Sequence, residues 1–231
     1  MAFPLYLAMT ATEIQKNPRL PAHLAYMACH FSPYSTGLSN PPTQLPGESL
    51  LMLNDRTPIC GHDPEIVVVQ LCQWYELFDC SGILLDFQRP NCAETAALTA
   101  HIVESLPCPV AVSEAYAAFL PCPVLLQPVP LDIPITEYLL PWNSREIWLE
   151  VALDAIEITL TPEGCQRINI PHQNLDDGFY DEQLHCHYRI QVQENQARFT
   201  LFRTREDLDA LLQEAERLGV TRAVGLWQEL I

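Results

Sequence analysis

Short continuous apolar runs recur along the first two thirds of the chain, each closed by turn residues or followed by a helical pattern. They cover Pro4 to Thr10, His23 to His30, Ser49 to Asp55, Gly82 to Gln88, Pro109 to Ser113, Pro123 to Gln127 and Glu146 to Leu153, and an eighth lies near the end at Thr221 to Gln228. Runs of this kind predict strands buried on both faces. Eight of them, interleaved with helices, predict an α/β fold of the (β/α)8 TIM-barrel type.

The helical pattern is clearest from Thr204 to Leu218, where Leu208, Leu211, Leu212, Ala215 and Leu218 form one stripe, Thr204 with Asp207 resembles a capping box, and Gly219 follows as the stop. Asp63 is placed to cap a second helix that has Pro64 at its first position, and Ala93 to Ser105 forms a third. Other connections are short or Pro-rich, such as Gly37 to Gly47, so the outer helical layer is expected to be reduced. Between the seventh strand and the last helix, Ile156 to Leu160, Tyr188 to Gln193 and Arg198 to Phe202 alternate instead of running apolar. Residues 156–203 therefore read as an antiparallel β insertion with a hairpin turn at Gln193 to Gln196, inside a single domain spanning 1–231.

Strand parity selects the residues that face the barrel interior. With Ile83, Leu85 and Phe87 turned to the outer helices, Leu84, Asp86 and Gln88 point inward, and the polar pair falls at the carboxyl end, where barrel sites are built. The same reading puts Trp148, Glu150, Ala152 and Asp154 inside the seventh strand. His30, Asn54, Glu114 and Gln127 fall at other strand ends around the same mouth.

Composition narrows the chemistry. Twelve basic residues against 29 acidic ones give 231 residues a net charge of −17, which disfavours nucleic acid and anionic membrane as partners. Lys16 is the only lysine and lies away from any strand end, so Schiff-base chemistry is close to excluded, and no Gly-rich nucleotide cradle occurs. No cofactor is implied. Nine scattered cysteines without a Cys-x-x-Cys pair read as reduced thiols of a cytoplasmic protein. The apolar amino-terminal stretch has no basic residue before it and contains Pro4, and it reads as a strand, not a signal peptide.

The run Phe78-Asp79-Cys80-Ser81-Gly82-Ile83-Leu84-Leu85-Asp86-Phe87-Gln88-Arg89-Pro90 resembles the fourth-strand signature of glycoside hydrolase family 18, the chitinase-like family, whose pattern is Asp-Gly-x-Asp-x-Asp-x-Glu. Gly82, Asp86, Phe87 and Pro90 match, the motif falls on the fourth strand, and the β insertion lies where many members carry theirs. Trp227 resembles the family's last-strand tryptophan, the floor under the bound sugar. The resemblance implies substrate-assisted hydrolysis, in which the Glu protonates the glycosidic oxygen and the preceding Asp orients the N-acetyl group.

The departures change that expectation. Gln88 stands at the Glu position, and an amide donates a hydrogen bond but cannot supply a proton as a general acid. Ser81 and Leu84 replace the other two acids. In one reading, Asp86 and Gln88, with Glu114, Asn54 and His30 around the mouth and Trp227 or Trp148 as stacking surfaces, bind an N-acetylhexosamine-containing glycan without efficient hydrolysis. A second reading makes Glu150 or Glu114 a relocated acid partnered by Asp86, with carboxylates ~5 Å apart for retention and wider for inversion. A third is a non-enzymatic scaffold. His185-Cys186-His187 is the most metal-like feature, but two ligands without a third are not a site, and no metal is assigned. The acidic stretches Asp176 to Glu182 and Glu206 to Glu216 read as solvated faces.

Overall fold

The computed structural model describes residues 3–118, 120–172, 175 and 177–231, so Asp176 of the first acidic stretch lies outside the described residues. The chain lays down β1 (Leu5–Met9), β2 (Leu24–Phe31), a short β3 (Leu38–Ser39), β4 (Leu50–Asn54), β5 (Gly82–Asp86), β6 (Val110–Ser113), β7 (Val124–Leu126) and β8 (Ile147–Val151). An excursion follows, made of β9 (Ala155–Thr161), β10 (Gly164–Asn169), β11 (Phe179–Asp181), β12 (Cys186–Gln193) and β13 (Gln196–Phe202), before β14 (Val220–Leu226) returns. All strands of the main sheet pair in parallel except β3, which lies antiparallel on β2. Because β1 pairs with both β14 and β2, the sheet closes into the expected eight-stranded parallel barrel.

The pleat sorts side chains into two apolar clusters. Tyr6, Ala25, Met52, Leu84, Leu125 and Trp148 belong to the one that fills the barrel, while Ile83, Leu85 and Phe87 belong to the larger one beneath the helices. At the amino end the filling is polar as well as apolar. The Arg222 guanidinium lies 4.4 Å from the Trp148 ring and donates to the Ser81 carbonyl at 3.2 Å, and the Tyr6 and Ser81 hydroxyls are 2.8 Å apart. Gly82 eases the packing here, since a Cβ would stand 3.0 Å from the Pro109 carbonyl and 3.1 Å from Trp148.

The outer layer is reduced, as expected. It comprises α1 (Ala11–Lys16), α2 (Pro64–Leu77), α3 (Ala93–Ser105), α4 (Glu114–Ala117), α5 (Ile135–Leu139), α6 (Arg205–Arg217) and α7 (Trp227–Leu230). Asp63 caps α2 by accepting from the Glu65 N–H at 3.0 Å. Thr204 and Asp207 close a reciprocal box at the start of α6, and Gly219 ends that helix at φ +90. α1 was not foreseen: a Thr10–Glu13 capping box starts it, but none of its residues is buried, so no apolar stripe announces it. Two boundaries at the carboxyl end differ, and the first is β5, which stops at Asp86 and leaves Gln88 beyond the strand. Trp227 does not extend the last strand but begins α7, because the chain folds back until the Leu230 side chain rests against Gly225, where a Cβ would lie 2.4 Å from it.

The insertion forms a separate antiparallel sheet in the order β10-β9-β13-β12-β11, with Gln193 opposite Gln196 at the expected turn. It is tied to the connection after β7. Arg203, 1% exposed, donates to the carbonyls of Val129 (3.1 Å), His185 (3.1 Å) and Leu184 (3.3 Å), Leu131 packs with Ile156, Cys186 and Leu201, and Arg167 pairs with Asp132 at 3.2 Å. The His-x-His pair does not share a strand face: His187 is on β12 and bonds Asp207 of α6 at 2.7 Å, whereas His185 precedes the strand at φ +48 with Tyr180 as its neighbour. Among the described residues, no group of three or more His, Cys, Asp or Glu side chains could hold a metal ion. None of the described helices is long and apolar enough to cross a membrane.

Candidate functional site

At the carboxyl end of the barrel, register places His30 beside Asn54 and Asn54 beside Asp86, a polar row across β2, β4 and β5. Two members of the row are occupied by their own chain. The Asn54 amide donates to the carbonyls of Met27 (3.2 Å) and Cys29 (2.9 Å), bridging the register shift in β2, and its oxygen accepts from the Arg56 N–H. His30 Nδ1 lies 3.1 Å from the Ala28 carbonyl.

Asp86 is partly buried at the end of β5, and the exposed Gln88 reaches back two residues to donate from Nε2 to its carboxylate at 2.5 Å. The backbone that carries Gln88 is held by Asp55, 3% exposed, whose oxygens accept from the N–H groups of Gln88 (3.1 Å) and Arg89 (2.8 Å). Arg89 completes this clamp by donating from its guanidinium to the Asp55 and Arg56 carbonyls. Burial raises the Asp86 carboxyl above the usual range, the Gln88 amide opposes that, and the charge of Asp55 adds to it.

Glu150 enters from β8 on the interior side that parity predicts. Burial pushes its carboxyl up to about 7, and the Asp86 charge contributes in the same direction. An acid that ionises near neutrality beside a second carboxylate is suited to give or take a proton. Glu114, the exposed first residue of α4, stands on the same rim.

Tyr138 is the member that sequence reasoning missed. Its hydroxyl donates to the Gln127 carbonyl at 3.0 Å, and burial, followed by the charges of Glu114 and Glu150, pushes the phenol up to about 12. It arrives from α5, a five-residue helix in a Pro-bounded connection, and the only advance signal is a tyrosine in a segment otherwise rich in aliphatic residues.

The two candidate tryptophans are placed differently. Trp148 is fully buried at the amino end, with its indole N–H donating to Glu146 at 2.9 Å. Trp227 packs, partly exposed, against the cluster beneath the helices. Asp86, Gln88, Glu150, Glu114 and Tyr138 thus gather at the carboxyl end of the barrel; Trp227 shares that end but packs toward the outer cluster, and Trp148 lies at the opposite end.

No family model and no curated protein matches this chain. Solved structures do. The spore cortex-lytic enzyme SleL of Bacillus megaterium QM B1551 superposes with a TM-score of 0.58 at 13% identity, over 97% of this chain and 70% of that one. A mutant family 18 chitinase of Cycas revoluta, in complex with (GlcNAc)4, gives 0.60 at 11% identity over 97% of this chain and 94% of its own. A family 18 N-acetylglucosaminidase from Paenibacillus barengoltzii gives 0.61 at 9% identity over 97% and 94%. What this chain has in common with them is the fold, a closed parallel barrel.

Proposed function

We propose that the carboxyl-end mouth binds a glycan containing N-acetylglucosamine, and that it does so without hydrolysis by the substrate-assisted route. The observation that carries this reading is the Gln88 amide bonded to Asp86 at 2.5 Å, on the strand whose motif resembles family 18. In that position the amide can fix the rotamer of Asp86 and present its second N–H to a sugar hydroxyl, but it has no acidic proton to deliver. Asp86 remains an acceptor for an acetamido N–H. The complex of the Cycas revoluta chitinase with (GlcNAc)4 supports the choice of ligand class. The nine unpaired cysteines support a reducing, cytoplasmic setting.

A second reading has its own observation. Glu150, at about 7 and next to Asp86, has the proton affinity of a general acid, and hydrolysis through it would follow the ordinary two-carboxylate scheme.

Calorimetric titration with chitin oligosaccharides and soluble peptidoglycan fragments separates the outcomes. Saturable binding by the wild type that is lost in Asp86→Ala is the expected result. Binding that survives Asp86→Ala, or no binding of either ligand class, overturns the glycan reading. Product formation abolished by Glu150→Gln would replace the binding role with the second reading.

A further inference from the structure

Among the described cysteines three are exposed, Cys60, Cys92 and Cys165. Cys165 lies on β10 of the insertion, whereas Cys60 and Cys92 lie on neighbouring connections of the barrel rim. Cys60 belongs to the turn between β4 and α2, and Cys92 caps α3 after β5. The two connections are docked on each other at both ends. At their base, Asp55 grips the N–H groups of Gln88 and Arg89. At their far end Gly61, at φ +85, donates its N–H to Glu94 at 3.1 Å, which brings that carboxylate beside the neighbouring Cys60. Glu94 stands in the first turn of the helix that Cys92 caps.

The two sulfurs differ in character. Cys92 Sγ receives the Thr95 N–H, with the Thr95 hydroxyl 3.5 Å away, and these contacts lower its thiol from the ordinary value. Glu94 beside Cys60 raises that thiol, and the Gly61 N–H, ahead of Cys60, lowers the Glu94 carboxyl. One thiol is therefore readied as a thiolate, and the other keeps its proton. Burial pushes the enclosed thiols the opposite way, with Cys80 and Cys186 at about 12, which leaves them poor competitors.

The geometry points to a dithiol–disulfide site formed by Cys60 and Cys92 on the barrel rim, oxidised by a low-molecular-weight disulfide of the glutathione type. The Cys92 thiolate attacks one sulfur of oxidised glutathione, forms a mixed disulfide and expels one glutathione thiolate. The Cys60 thiol releases its proton to solvent, the Cys60 sulfur attacks Cys92 Sγ, and the second glutathione leaves as thiolate. Two protein thiols and one glutathione disulfide become one protein disulfide and two glutathiones. The new bond would join the β4–α2 and β5–α3 connections, the second of which carries Gln88, and its formation does not depend on what the mouth binds.

The test uses the folded full chain. Counted with an aromatic disulfide reagent, the reduced protein is expected to show three fast thiols, Cys60, Cys92 and Cys165, and only Cys165 after incubation with oxidised glutathione. Peptide mapping is expected to find Cys60 linked to Cys92. In Cys60→Ser, oxidation is expected to stop at a glutathione adduct on Cys92, and Cys165→Ser is expected to leave the disulfide unchanged. A stable glutathione adduct on Cys92 while Cys60 is present, linkage of either cysteine to a different one, or three thiols that stay reactive would overturn the site.

Discussion

Asp86 and Glu150 reach the same end of the barrel from β5 and β8, and the charge of the first adds to the burial that holds the second at about 7. Burial is the larger contribution, so Asp86→Asn is expected to lower the Glu150 midpoint while leaving it above the ordinary 4.5. A carbon-detected carboxyl titration by NMR reads this directly. An unmoved midpoint would mean that the two groups do not sense each other.

The same shift makes stability depend on pH. A carboxyl raised in the folded state keeps its proton where the unfolded chain has released it, so its contribution is full below 4.5 and is lost as pH rises through about 7. After allowance for partial exposure, the loss is on the order of 2 kcal/mol. Urea denaturation at about pH 5 and about pH 8 should therefore show Glu150→Gln gaining on the wild type at the higher pH. Equal differences at both values would contradict the assignment.

Gln88→Glu would place a second carboxyl against Asp86, and two such groups share a proton instead of both ionising. Turnover of chitin oligosaccharides is not expected to appear. The two other acidic positions of the motif are committed to the barrel filling, Ser81 to Tyr6 and Arg222, and Leu84 to the inner apolar cluster. Hydrolysis by this single variant in a reducing-end assay would show that the filling does not matter.

Arg203 is the fastening between insertion and barrel. Arg203→Ala leaves the carbonyls of Val129, Leu184 and His185 without their donor in a buried place, at a cost of about 3 kcal/mol. Hydrogen exchange should quicken in β9, β12 and β13 more than in β4 and β5. A loss spread evenly over both sheets would argue against a local fastening.

Much of the barrel was legible because its strands are buried on both faces, and a continuous apolar run such as Leu50 to Leu53 has few other uses. Helices with a cap and a stripe, such as α6, were legible for the same reason. α1 escaped because a capping box without burial leaves no periodicity, and α7 because Gly225 and Leu230 meet only once the chain has turned. At the site, strand parity put Asp86 and Gln88 at the same mouth, but β5 ends at Asp86, and the bond that Gln88 makes from just beyond the strand was not foreseen. Nor was Tyr138, since its position depends on how a short helix after β7 leans toward β8. The use of Asn54 as a backbone brace depends on a register shift in β2 that no local pattern encodes.

Closure by β1 against β14 has a consequence for biosynthesis. As the polypeptide leaves the ribosome, the strands from β1 to β8 emerge as an open sheet whose two edges stay unsatisfied until β14 is made, more than sixty positions after β8 ends. The insertion sheet pairs strands that are near neighbours in sequence, and it can assemble during that interval. The barrel itself is completed only by its last strand, and the nascent chain needs protection of those edges until then.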